Sequence, residues 1–95
     1  MQILEFKDVQ DFSIQEVHQG DALKLRLSGL AFHSSLAVDR IEQVTEGDTL
    51  KVRVVLCLAR KGKSGRFNFD VAVPKGVRQV VFGDEGRQVW PAPGR

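Results

Sequence analysis

The residues best suited to chemistry in this chain are four cations within one stretch of seven residues, namely Arg60, Lys61, Lys63 and Arg66. No acidic residue interrupts the stretch, and two glycines within it loosen its backbone. Guanidinium and ammonium groups clustered in this way bind phosphates or the carboxylates of a partner. The competing interpretation is a solubilising hairpin loop whose charges keep strand edges apart. We take these four residues as the candidate binding site.

The segment that follows, Arg66-Phe67-Asn68-Phe69-Asp70-Val71, alternates apolar and polar residues. It resembles the aromatic strand of RNA-recognition motifs and cold-shock barrels, in which phenylalanines stack on bases beside basic residues. The resemblance implies single-stranded nucleic acid as an alternative ligand, bound by Arg66, Phe67, Phe69 and the basic 60–66 stretch. Since Phe67 and Phe69 share one face of a strand with Val71 and Val73, we expect them to be core residues instead.

Other motifs carry little chemistry. Gly62-Lys63-Ser64 echoes the end of a phosphate-binding loop, but Cys57 stands where that loop needs its first glycine, and a strand is expected to follow. His18 and His33 show no metal-binding spacing. Ser34 and Ser35 beside His33 might suggest a nucleophile and its base. Adjacent residues of a strand point to opposite faces, however, so closeness in sequence does not supply the hydrogen bond that such a pair needs. We therefore predict no catalytic residue, metal or cofactor, and a protein that is not an enzyme.

Length and composition indicate one globular domain: 95 residues, 42% hydrophobic and 27% charged. We expect residues 1–90 to form it and residues 91–95 to be a short tail. No apolar run is long enough to cross a bilayer, and the first residues lack the pattern of a signal peptide. The single cysteine, Cys57, allows no internal disulfide. The sequence does not determine the cellular compartment, and the cytoplasm is slightly favoured.

The net charge of +2 hides a division along the chain. Residues 1–50 hold four basic and nine acidic side chains, a net −5, whereas residues 51–95 hold ten basic and three acidic ones, a net +7. In a fold of two layers, acidic side chains of the first half can form ion pairs with basic side chains of the second half across the layers. Such pairs add little stability where they are exposed.

The apolar residues are dominated by β-branched types, with 13 valines and 3 isoleucines. The clearest alternation covers 49–59, whose second face starts charged and turns apolar, so we predict a central strand there. A second strand is predicted over 66–73, ending at Pro74-Lys75-Gly76, and a third over 23–27. After Gly29 the apolar phase shifts by one residue to Leu30 and Phe32, which predicts a bulge or bend.

The remaining strands follow from turns. Residues 78–82 and 87–90 flank a four-residue Gly-Asp-Glu-Gly loop, which predicts a hairpin. Residues 36–45 fit a strand or a helix, and a turn at 46–48 favours the strand. Two more strands are expected near the amino end, over 3–6 and 12–17.

Turn signals therefore recur about every 8–12 residues, the spacing of all-β folds. We predict a two-sheet antiparallel β-sandwich of about seven strands, immunoglobulin-like in architecture, with Trp90 packed into one end opposite Phe82.

Such a fold favours a small protein-interaction module, an adaptor, subunit, inhibitor or immunity-type binder. Its expected partner is another protein with an acidic surface, and the chain itself is expected to be a monomer or a weak dimer.

Overall fold

The computed structural model describes residues 2–32, 35–59, 62 and 64–91. A 3-10 helix covers Phe6–Asp8, and eight strands make up most of the remainder: β1 (Gln2–Ile3), β2 (Val9–Gln19), β3 (Ala22–Ala31), β4 (Leu36–Glu46), β5 (Thr49–Leu58), β6 (Arg66–Val73), β7 (Gln79–Phe82) and β8 (Arg87–Trp90). The strands form two sheets that share one apolar core. The predicted β-sandwich is confirmed, with eight strands, and residues 36–45 lie in a strand.

The first sheet is built around β5. Strand β4 pairs along one side of β5, while β1 and β7 lie end to end along the other side and β8 pairs with β7. Val54 and Val55 point to opposite faces of β5, yet both are at most 1% exposed. This two-sided burial confirms the central strand that the alternation over 49–59 predicted.

One strand pair of the first sheet is parallel, whereas only antiparallel pairs were predicted. After β6 the chain turns at Pro74 and Gly76 and crosses from the second sheet to the first. It arrives at the end where β5 begins, and the backbone N–H of Arg78 donates to the carbonyl of Asp48 at 2.7 Å. Because β7 then runs in the same direction as β5, the two strands pair in parallel.

The second sheet has the order β2–β3–β6 and is antiparallel throughout. Its bulge lies in β2, where Asp11 and Phe12 stand opposite the single residue Gly29. Asp11 takes a left-handed backbone conformation with φ 55°, as the first residue of some bulges does.

The predicted change of phase within β3 is wrong, although a bulge is present beside Gly29. The inward alternation continues past Gly29 to Ala31, which is 5% exposed, while Phe32 is 67% exposed. The packing around Gly29 explains why a glycine stands here, because a Cβ at this position would lie 2.7 Å from Val9 Cγ1 and 2.8 Å from Phe67 Cζ.

Phe82 lies in the centre of the core, with three phenylalanine rings around it. The centroids of Phe6, Phe12 and Phe67 lie 6.0–6.2 Å from the Phe82 centroid. Trp90 packs against the core as expected, but its strand neighbour is Val80 rather than Phe82.

The ion pairs that join different strands within the described residues connect neighbours in one sheet. Arg26 of β3 bonds Asp70 of β6 at 2.9 Å, and Arg53 of β5 bonds Glu42 of β4 at 3.2 Å. These pairs therefore lie within a sheet. They do not join an acidic half of the chain to a basic half across the two layers, as was expected.

Candidate interaction surface

Four strand ends meet at one end of the sandwich. There β3 and β5 finish, and β4 and β6 begin. Backbone hydrogen bonds fasten these ends together: Ala31 N donates to Gly65 O at 2.7 Å, and Val38 N donates to Ser64 O at 2.8 Å. Ala59 N also donates, to Ser35 O, at 2.9 Å. We call this region the basic end and define it by Phe32, Leu58, Ala59 and residues 64–66.

The basic end carries two large apolar side chains that the core does not cover. Phe32 is 67% exposed and Leu58 is 76% exposed. Phe32 lies one residue beyond β3, and its N–H donates to the carbonyl of Asp8 at 2.9 Å. Leu58 is the last residue of β5 and is paired with Leu36. Phe32 and Leu58 are two of the three large apolar side chains exposed in the described residues, the third being Val44 of β4 at 41%, and exposed apolar side chains at one end of a molecule favour a contact surface there.

Of the four predicted site residues, the structure describes Arg66. Arg66 is the first residue of β6, its side chain is exposed, and its backbone N–H donates to Ser64 Oγ at 3.0 Å. Arg60, Lys61 and Lys63 lie outside the described residues. They follow Ala59 and precede Ser64 in the chain, so the stretch that holds them begins and ends at the basic end.

Several cations elsewhere in the described part are paired with acids, although Lys24, Lys75, Arg78 and Arg87 are not. Arg26 is held by Asp70, and this hydrogen-bonded pair raises the pKa of Arg26 and lowers the pKa of Asp70. Arg53 bonds both Glu42 and Asp84. Arg66 belongs to the unpaired cations, since it makes no ion pair with any residue that the structure describes. Its charge therefore remains available to a partner.

Sequence reasoning missed Phe32 and Leu58, because the alternation placed both with core residues. The signal that could have identified them is their position. Each lies at the end of an apolar strand, next to the polar segments at 33–35 and 60–66. The last residue of a strand has cover on fewer sides, so alternation alone does not bury it.

The aromatic strand faces inward. Phe67 is 4% exposed, and Phe69 packs against the core as a half-buried residue. The expectation that both are core residues is confirmed for Phe67 and holds in part for Phe69. Phe67 is therefore not available to stack on a base, since a ring must present its face to do so, while Phe69 is available only in part.

Among the residues described, no group of three or more histidine, cysteine or acidic side chains is arranged to hold a metal ion. Cys57 is half-buried on β5, and His18 Nε2 lies 3.2 Å from Glu16 Oε1. In the part of the chain that is described, no helix is long and apolar enough to span a bilayer.

The chain matches no protein-family model, no curated protein and no solved structure. Its function is therefore inferred from the chemistry of the basic end.

Proposed function

We propose that this chain is a non-catalytic interaction module of immunoglobulin-like architecture that binds an acidic segment of another protein at the basic end. The observation that supports it most is the occurrence of exposed apolar side chains, Phe32 and Leu58, beside a basic stretch that contains no acidic residue. Apolar anchors give protein interfaces most of their affinity, and surrounding charges select the partner and speed its approach.

The chemistry of the anchors favours a protein over a nucleic acid. Leu58 is aliphatic and offers no stacking face, and Phe67 is buried. A peptide that carries both acidic and apolar side chains would match both features of the basic end. Phe32 and the basic stretch would also suit single-stranded nucleic acid, since the exposed ring could stack on a base and the cations could bind phosphates.

A synthetic peptide of alternating glutamate and leucine is the first probe, and a single-stranded oligothymidylate is the second. Binding is measured by NMR titration of the labelled protein at two salt concentrations. We expect the peptide to shift the resonances of Phe32, Leu58 and Arg66 and the oligothymidylate to shift them less. Stronger binding of the oligothymidylate, with a steep salt dependence, would favour the nucleic-acid alternative.

Removing the charges of the basic stretch should weaken the binding of the peptide without unfolding the protein. The Arg60→Ser, Lys61→Ser, Lys63→Ser triple variant is expected to lose about tenfold or more in peptide affinity, because long-range attraction is lost. Its melting temperature should change little, since surface charges contribute little to stability.

The matched control removes three cations from the opposite end of the sandwich, namely Lys24, Lys75 and Arg78, again to serine. This control alters net charge equally, so an equal loss of affinity in both triple variants would show that binding is non-specific and contradict the proposal. A collapse of the melting temperature in the first variant would assign the stretch a structural role instead.

A further inference from the structure

Among the described residues, five outer strands leave backbone groups at a sheet edge, and four of them are protected against pairing with another chain. Strand β1 has only two residues, β2 has its bulge at Asp11, β4 has a register shift between Val38 and Arg40, and β8 is four residues long and runs into Pro91. Bulges, short strands and prolines are the usual means of blocking edge-to-edge association. Strand β6 has eight residues, an unbroken register with β3, and neither proline nor lysine.

Hydrogen bonding to β3 fixes which residues of β6 face the open edge. Ala31 N donates to Gly65 O, so Gly65 lies in a hydrogen-bonded pair with β3. Such pairs alternate with non-bonded ones along an antiparallel ladder. The N–H and C=O groups of Arg66, Asn68 and Asp70 therefore point away from β3 and toward the edge. No hydrogen bond from another described strand reaches these groups of Asn68 and Asp70.

From this edge we infer that two copies of the chain associate through β6, which joins the two three-stranded sheets into one antiparallel sheet. The two-fold axis passes beside Asn68, so that Asn68 lies opposite its own copy. Arg66 then lies opposite Asp70 of the second copy, and the same pair occurs again across the axis. About four backbone hydrogen bonds would form in this register with the N–H of Arg66 still on Ser64 Oγ, and two more if that N–H turned to the second copy.

Charge selects this register over its neighbours. Moving the axis to Asp70 would place two aspartates opposite each other, which is destabilising. Only the register about Asn68 places opposite charges together on the outer face. On the inner face the same register places Phe69 opposite Phe67 of the second copy, which would cover the part of Phe69 that remains exposed.

The partner is thus a second copy of this chain rather than an unrelated peptide, because the edge is complementary to itself. This inference does not rest on the proposed function, since the triple variant used to test the basic end leaves β6 unchanged.

The test uses two charge variants that cannot pair with themselves but can pair with each other. In Arg66→Asp, the new aspartate would face Asp70 of an identical copy. In Asp70→Lys, the new lysine would face Arg66 of an identical copy. This change also removes the bond from Arg26 of the same chain, so thermal unfolding must first show that the variant is folded. In a mixture of the two variants every facing pair has opposite charges, so association should return.

Sedimentation equilibrium is run from about 1 μM to about 1 mM, the range over which weak dimers form. The mass of the wild-type chain should rise from 10.6 kDa toward twice that value. Each variant alone should associate at least tenfold more weakly, and the equimolar mixture should regain most of the wild-type affinity. A wild-type mass that stays constant, or a mixture that stays monomeric, would overturn the inference.

Asn68→Pro provides a second variant, because proline removes the N–H that faces the open edge and leaves every bond to β3 in place. Circular dichroism and thermal unfolding confirm that the variant is folded. A folded Asn68→Pro protein that still associates as the wild type does would also overturn the inference.

Discussion

At the scale of single residues, Gly29 shows how closely the second sheet is packed against its own neighbours. A methyl group at this position would meet Val9 Cγ1 and Phe67 Cζ at under 3 Å, whereas carbon atoms normally pack at about 3.5–4.0 Å. Gly29→Ala is expected to lower the free energy of unfolding by about 1–3 kcal/mol through overpacking. Urea denaturation measures this loss directly.

Ser28→Ala is the matched control, since Ser28 is adjacent in β3 and points to the outer face. It should change stability by less than about 0.5 kcal/mol. Combining Gly29→Ala with Phe67→Leu should cost less than the two changes summed, because the shorter side chain frees the contested space. Equal effects of Gly29→Ala and Ser28→Ala would contradict the steric explanation.

At the scale of the strand, the bulge in β2 depends on the backbone of Asp11. Its φ of 55° lies in the left-handed region, where aspartate is tolerated and β-branched residues are strained. Asp11→Val should therefore destabilise the protein by about 1–2 kcal/mol. Asp11→Gly should be neutral or slightly stabilising, because glycine adopts this conformation freely.

Chemical denaturation of both variants separates backbone strain from loss of charge, since each replacement removes the carboxylate. If Asp11→Gly were as unstable as Asp11→Val, the conformation of residue 11 would not be the cause. A loss of the bulge would also straighten β2 and lengthen its flat edge, so the valine variant should self-associate more readily than the wild type.

The sequence predicts those strands well whose partners are close along the chain. The turn at 46–48 and the loop at 83–86 connect adjacent strands, and glycines at positive φ make each turn possible, as at Gly47 and Gly83. The parallel pairing of β7 with β5 could not be predicted in this way. It depends on a crossing between sheets, which no local pattern of residues encodes.

The sequence predicted the positive charge of the candidate site but not its exposed apolar side chains. A run of basic residues without acids is visible in the sequence, whatever the fold. The exposure of Phe32 and Leu58 depends on where β3 and β5 end, and strand ends are set by tertiary packing. The same limit explains why alternation assigned both side chains to the core.

At the scale of the whole molecule, Glu16 and Trp90 join the two sheets. The indole Nε1 of Trp90 in β8 donates to Glu16 Oε2 in β2 at 2.9 Å. This hydrogen bond is the main cause of the lowered pKa of Glu16, and the contact with His18 adds to it. Because the folded pKa is lowered, the stabilisation is present above the unfolded pKa and is lost as pH falls through the folded value.

Trp90 is the single tryptophan of the chain, so its fluorescence reports on this contact. We expect a pH titration to change its emission with a midpoint below the ordinary pKa of a glutamate. Glu16→Gln keeps an acceptor for the indole but does not titrate, so this transition should disappear in that variant. His18→Gln should raise the midpoint only slightly; a full return to the ordinary value would assign the shift to His18 instead.

The arrangement around β5 also determines the order in which the chain can assemble during synthesis. One side of β5 is completed by β1, made first, and by β7, which follows β5 by about 20 residues. Until β7 leaves the ribosome, the first half of the most buried strand in the fold has an open edge, and the backbone N–H and C=O groups along it lack strand partners. The nascent chain is therefore most prone to aggregation in that interval, although the β2–β3 and β4–β5 hairpins are already complete.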